Sequence, residues 1–345
     1  MKAAVLTGIR KATIIDVPDP ELERETDVLL KLIAVGVCGS DIHYYTTGRI
    51  GDQIVRYPFS LGHECTAIVE RTGRGVTRVH PGDYVAIDPA VFCGHCDQCR
   101  TGRYHTCRNL LFLGSPGQLE GCLSEFIVMP QECCFPLKPG MTFEQGVLVE
   151  PLSIGIYAVK LMNNPNAESI AILGTGPIGL SVLLAARDSG IASIYVTDKI
   201  DFRLNAAKSA GANWVGNPDK SDIVKEIQTL QPPLLDAVFE CCGKQEAINQ
   251  AINLLKPGGT LLIVGIPETK QISFDIHSLR QKEICIINVR RQNNCIQPAI
   301  DLIHNRSGWV DFMVTHIFKF SEFKTAFDLV DGYKDNVIKA IIRFG

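Results

Sequence analysis

Apolar residues in this chain fall into two textures that change near residue 150. Before it, short runs (AAVLTG, TIIDVP, VLLKLIAVGVC, CTAIVERTG, YVAIDPAV and SEFIVMP) are separated by proline and glycine. That punctuation predicts short strands joined by turns, a β-rich, barrel-like domain. Beyond it, SIAIL (169–173), SIYVTD (193–198), NWVG (213–216), DAVFECC (236–242), TLLIVGI (260–266) and EICIIN (283–288) alternate with segments of helical period such as QEAINQAINLL. Strand and helix in alternation predict an α/β domain with a doubly wound parallel sheet. From about residue 290 the texture is mixed again and ends in VIKAIIRF. The tail is therefore expected to rejoin the first domain, with residues 1–152 and 290–345 in one lobe, 153–289 in the other and a cleft between them. The chain shows no internal repeat and no low-complexity segment.

Composition narrows the class. With 345 residues, 46% hydrophobic and 21% charged, the chain reads as a two-domain globular protein, and none of its apolar runs reaches membrane-spanning length. Lysine and arginine are scattered and the formal net charge is −3, so a nucleic-acid interface is not expected. The opening MKAAVLTGIR has no apolar leader pattern, so a reducing cytoplasmic setting is expected and disulfides are not. Among the 13 cysteines, Cys65, Cys122, Cys241 and Cys285 read as small buried apolar residues. Cys93, Cys96, Cys99 and Cys107 do not: they stand as C-x2-C-x2-C-x7-C in the polar stretch FCGHCDQCRTGRYHTC. Gaps this short let a loop wrap four thiolates around one tetrahedral ion, which predicts a structural zinc site.

A second motif lies in IAILGTGPIGLSVLLAARDSGIASIYVTD, where Gly174, Gly176 and Gly179 form G-x-G-x-x-G between a predicted strand and helix. Gly174 suits the tight turn, Gly176 lets the backbone approach a pyrophosphate, and Gly179 lets the helix pack on the strand. Phosphate charge would sit at the helix N-terminus, where Pro177 and Ile178 begin the first turn. Asp198 closes the next strand, where a carboxylate accepts both ribose hydroxyls of NAD and repels a 2′-phosphate. NAD is the expected cofactor, although Lys199 and Arg203 stand close by. Arg203, and Val264 and Gly265 after the TLLIVG run, are assigned to the same cofactor.

With these motifs in order, GVCGSDIHYY (36–45), LGHE (61–64), the four-cysteine loop, VEPLSIGIYA (149–158), GTGPIG (174–179), KPGG (256–259) and VTH (314–316), the chain resembles the zinc-dependent medium-chain alcohol and polyol dehydrogenases over nearly its whole length. Within them it is similar to the sorbitol (L-iditol) branch. The resemblance implies a GroES-like catalytic domain interrupted by a Rossmann domain, and two zinc ions per chain, one catalytic and one structural. It also implies assembly as a homodimer or homotetramer. Cys38 and His63 match two constant ligands of the catalytic zinc, and Glu150 matches an acidic position beside it. Glu64 is the competing carboxylate, and the sequence leaves open which of the two binds the metal directly. Zinc would act as a Lewis acid on the substrate alcohol. By the same resemblance, Ser40 takes the alcohol proton and passes it through the cofactor ribose to His43, whose side-chain type exchanges protons near neutral pH.

The resemblance further places Tyr44, Arg290 and Arg291 near the substrate, and Phe112, in the segment LLFLGSPG, is expected to line the cleft. In VRRQNNC (289–295), Arg290 keeps the place of an arginine, but the tyrosine that follows it in sorbitol dehydrogenases is absent. Arginine, glutamine and asparagine in this run suit a hydroxyl-rich or acidic sugar, so the expected reaction is oxidation of a secondary hydroxyl of a polyol. L-threonine 3-dehydrogenase and inositol or sugar-acid dehydrogenases of the same family are the rival enzymes. EPLS at 150–153 departs from the D-P-F-G of the threonine branch. A metal- or NAD-sensing protein without catalysis would be favoured by loss of Cys38, His63 or Glu150, and all three are present.

Overall fold

In the computed structural model, which describes residues 1–267 and 269–345, the chain divides into two compact units. One is Met1–Glu150 with Ile296–Gly345, the other Pro151–Cys295.

The first unit is organised around the strand Asp27–Gly36, whose VLLKLIAV run is buried along most of its length. Burial on both faces and pairing on both edges explain why the run is almost uniformly apolar. It pairs antiparallel with Glu64–Thr72, with Phe126–Pro130 and with Lys339–Arg343 from the C-terminal segment. Leu30, Leu32, Val69, Ile87 and Met129 fill the core beneath this sheet, joined by Tyr45 and Phe327 in an edge-to-face pair 5.5 Å apart. The pairing matters for function because Glu64 and Ile341 both lie opposite Gly36. The last strand is thereby brought to the start of the Glu64 strand.

Among the described residues, the second unit holds a six-stranded parallel sheet in the order Trp214–Gly216, Ser193–Thr197, Ser169–Leu173, Leu235–Glu240, Leu255–Ile263, Cys285–Asn288. In chain order this is 3-2-1-4-5-6, the doubly wound arrangement whose ligand site lies at the carboxyl ends of strands one and four. All five residues of Ser169–Leu173 are buried, as a central strand covered on both faces requires.

Three details depart from the sequence reading. The strand expected to continue through Cys241 and Cys242 ends at Glu240, because the Glu240 carboxylate accepts the N–H groups of Cys242 and Gly243 and turns the chain. The strand expected from residue 260 begins at Leu255. Lys256, Pro257, Gly258 and Gly259 are absorbed in a register shift between Leu235, opposite Leu255, and Ala237, opposite Thr260. Cys285, read as buried, is exposed; it opens a strand at the edge of the sheet, with a neighbour on one side only. Among the described residues, no helix is long and apolar enough to cross a membrane.

Candidate active site

The four-cysteine loop is closed in the structure. Sulfur atoms of Cys93 and Cys107 lie 3.5 Å apart, Cys96 and Cys99 3.6 Å, Cys96 and Cys107 3.9 Å, and Cys93 and Cys99 4.0 Å. Ligands about 2.3 Å from a tetrahedral zinc stand about 3.8 Å from one another, so the four sulfurs already mark out the coordination polyhedron. The N–H groups of Cys93 and Asn109 donate to the Cys107 sulfur, a partner that suits a thiolate. The thiols are shifted in opposite directions by their different surroundings. The backbone N–H of His95 draws Cys93 down to about 6, whereas burial and the neighbouring sulfurs push Cys99 up to about 12. A shared cation is what lets all four ionise together.

A second group assembles from residues distant in sequence. Cys38 ends the segment after the central strand, His63 and Glu64 enter the adjacent strand, and ligand atoms of the three lie within 4.8 Å of one another. Glu64 is 1% exposed, its Oε2 is 2.6 Å from Lys339 Nζ, and its Oε1 has no hydrogen-bond partner among the described residues. A buried carboxylate oxygen without a donor, beside a thiol and an imidazole, is a donor set that could hold a metal ion. Gly36 completes the cradle: a Cβ there would stand 2.4 Å from Glu64 Oε2 and 2.8 Å from Val147 Cγ1. Asp41 supports the group from below. Its carboxylate accepts the N–H groups of Cys38 and Gly62 and lies 3.5 Å from His63 Nδ1. Burial alone would depress His63, but Asp41 and the Cys38 sulfur hold it well above the ordinary imidazole value. Negative surroundings that retain a proton on His63 equally attract a metal.

Glu150, in the first turn of the helix Val149–Leu161, is buried but is not one of this group's three members. Burial first, and then the charge of Glu64, push its carboxyl up to about 7 against the opposing pull of His63. Ser40 and His43 stand one turn apart on the helix Gly39–Thr47, both partly exposed. Phe112 packs its ring 5.4 Å from that of His63. Tyr44 lies in the core of the same unit, with its hydroxyl donating to Gln53 at 3.0 Å. Arg290 and Arg291 belong to the other unit, after its last strand, and Arg291 takes a left-handed backbone conformation at φ 54°.

In that unit the glycine turn sits at the end of the first sheet strand. Gly174 has φ 99°, and a Cβ on Gly179 would stand 1.9 Å from the Gly174 carbonyl oxygen. The helix Pro177–Asp188 starts with Pro177 in its first turn, Ile178 follows, and Leu180 N–H closes the first bond to the Gly176 carbonyl. Asp198 is drawn into the turn: Oδ2 accepts the Thr175 N–H and hydroxyl, and Oδ1 accepts the Ile200 N–H. Arg203 Nη1 lies 3.6 Å from where a Gly176 Cβ would be. Val264 and Gly265 form the next turn, and both their N–H groups donate to the Glu240 carbonyl.

The Alcohol dehydrogenase GroES-like domain matches residues 24–139 and the Zinc-binding dehydrogenase domain matches residues 177–305. The chain is 35% identical to a sorbitol dehydrogenase of Bacillus subtilis, across 99% of this chain and 97% of that protein. The chain belongs to the zinc-dependent medium-chain alcohol/polyol dehydrogenase family. An L-idonate 5-dehydrogenase of Vitis vinifera is also 35% identical, across 93% of this chain and 88% of that protein. Among solved structures, an oxidoreductase/dehydrogenase of unknown specificity from Escherichia coli superposes with a TM-score of 0.94 at 32% identity, covering 100% and 99% of the two chains.

In this medium-chain dehydrogenase sequence, the residues that support the Cys38, His63 and Glu64 group carry little signal of their own. Asp41 lies within GVCGSDIHYY with no role assigned to it by the sequence, yet it contacts both the Cys38 backbone and His63. Lys339 gave one signal, a lone lysine inside the apolar VIKAII, which marks a buried charge that must find a partner. Glu240 likewise ends a buried strand with a carboxylate.

Proposed function

We propose that this chain catalyses the reversible, NAD-dependent oxidation of a secondary hydroxyl of a polyol to the corresponding ketone, with two zinc ions per chain. The observation that carries the chemistry is the unpartnered Glu64 Oε1 beside Cys38 and His63. These three residues would hold the catalytic zinc, and Cys93, Cys96, Cys99 and Cys107 the structural one. When bound, zinc supplies Lewis-acid polarisation of the substrate hydroxyl and nicotinamide supplies the hydride acceptor. The chain's own residues do the rest. Asp41 fixes the tautomer and orientation of His63. Ser40 accepts the hydroxyl proton, and His43, one helical turn on and partly exposed, exchanges it with solvent. Phe112, packed on the His63 ring, keeps an apolar wall beside the metal ligands.

The polyol class is supported by the sorbitol dehydrogenase relative. Arg290 and Arg291, together with the L-idonate 5-dehydrogenase relative, favour a second reading in which the substrate is an anionic sugar. NADH formation across sorbitol, xylitol, inositol, L-idonate, threonine, ethanol and 2-butanol tests both. A five- or six-carbon polyol, an inositol or a sugar acid should exceed ethanol by about 10⁴-fold in kcat/KM, because polar groups of the site are left unpaired by a bare alcohol. Arg290→Ala should reduce turnover of that substrate far more than of 2-butanol. Threonine or 2-butanol turning over as fast as the best polyol would end the polyol reading and leave the family intact.

A further inference from the structure

Lys339 is 1% exposed and lies at the start of the strand Lys339–Arg343, 275 residues from its ion-pair partner. Its Nζ donates to Glu64 Oε2 at 2.6 Å and to the Val37 carbonyl at 3.2 Å. The strand is fastened at the same place, since the Val37 N–H donates to the Ala340 carbonyl at 3.0 Å. An ammonium buried this deeply persists only with a charged partner and further acceptors. The same contact restrains the carboxylate, since one oxygen is held and the other, Oε1, has no donor among the described residues and stands with Cys38 and His63.

We propose that Lys339 is a positioning residue: by holding Oε2 it leaves Glu64 a single oxygen to offer to the metal. The inference rests on reading Cys38, His63 and Glu64 as the catalytic metal centre. Without the ammonium, Glu64 is a buried carboxylate whose remaining nearby cation is the metal, and both its oxygens are free to turn toward it. Lys339 thus limits how much of the coordination sphere the protein occupies, which keeps a position for the substrate oxygen.

The test uses full-length enzyme with cobalt in the catalytic site, comparing Lys339→Met and Lys339→Arg with the unmutated protein. In Lys339→Met the visible cobalt bands should lose intensity as a further oxygen ligand is added. The ion should leave to dipicolinate about tenfold more slowly, because the buried carboxylate now has the metal in place of the ammonium. Lys339→Arg, which keeps the cation and its donors, should retain the unmutated spectrum and release rate. A lysine that served only to hold the strand would alter neither readout. Unchanged spectra and release in Lys339→Met, or faster release, would overturn the proposal. Should Lys339→Met fail to fold, Lys339→Gln keeps an N–H for the Val37 carbonyl and serves for both measurements. Failure of the underlying reading looks different. Metal analysis would then find only the ion of the four-thiol loop, unchanged by Cys38→Ser, and this inference would fall with it.

Discussion

At Glu64 two requirements meet in one carboxylate: Lys339 fixes Oε2, and Gly36 leaves that oxygen its space. A methyl group on Gly36 would stand 2.4 Å from Glu64 Oε2 and 2.8 Å from Val147 Cγ1, so a neighbouring side chain must move, and the carboxylate is the one with freedom to do so. Gly36→Ala should therefore push Glu64 off its ligand position at a packing cost of about 1–3 kcal/mol. Misplacing a reacting group by an ångström costs about 10²-fold in rate, so activity should fall by about that factor while the fold survives. Metal content and kcat measured on the same preparation check this; full activity with full metal would show that the carboxylate is not positioned as described. Asp198 is the corresponding residue in the other unit. Its charge is held at the glycine turn by Thr175 and Ile200, while Lys199 is paired with Asp219 at 2.8 Å and Arg203 stands beside Gly176. Asp198→Ser removes the repulsion toward a 2′-phosphate and leaves Arg203, so the NADP-to-NAD ratio of kcat/KM should rise by about 10–100-fold, one to two steps of about 1.4 kcal/mol. An unmutated enzyme already faster with NADP would contradict the assignment.

Elements of the second unit depend on a few polar ties at strand ends. The Asp236 carboxylate accepts the N–H groups of Glu168 and Ser169 and the Ser169 hydroxyl, and pairs with Lys256, so it joins the entrances of the two strands that flank the ligand site. Burial alone would raise its pKa, but Lys256 and the two backbone donors hold it below the ordinary carboxylate value. Because the folded pKa lies below the unfolded one, the contribution is fully present above about pH 3.9 and is lost as pH falls through the folded value. Asp236→Ala should cost about 1–3 kcal/mol at pH 7 by leaving buried donors unpaired. Its deficit against the unmutated enzyme should shrink in acid, which urea unfolding followed from pH 7 downward measures; a deficit independent of pH would rule out the carboxylate as its source. The same elements show what local sequence conveys. SIAIL and the AVF of DAVFE are legible because the middle of a strand covered on both faces is continuously apolar, while Asp236 and Glu240 mark its ends. KPGG lies outside the strand expected from residue 260 and is instead part of it, because its fate depends on the register with Leu235 and Ala237.

Across the whole molecule, what was legible divides by sequence distance. The four-thiol loop declares itself within fifteen residues, and its sulfurs do assemble. The glycine turn also carries its own context of strand, helix and acid. The group of Cys38, His63 and Glu64 is legible through resemblance, since Cys38 and His63 are 25 residues apart with no spacing rule between them, and Lys339 arrives from the far end of the chain. The two metal groups should consequently fail in different ways. The loop 93–107 has little regular structure, a four-residue helix Asp97–Arg100 and a short 3₁₀ turn, held by the Asp97 pairing with Arg108 and by Phe92 against Tyr104 at 4.4 Å. A closed thiolate site in such a loop contributes folding free energy, whereas Cys38 and His63 are anchored beside a sheet that packs without them. Purified enzyme should contain two zinc ions per chain. Cys96→Ser should lose one together with several degrees of Tm, and Cys38→Ser should lose the other together with activity while Tm changes little. Elemental analysis paired with thermal unfolding and NADH formation separates the cases. One zinc or fewer in fully active enzyme would show that these two groups are not both metal sites.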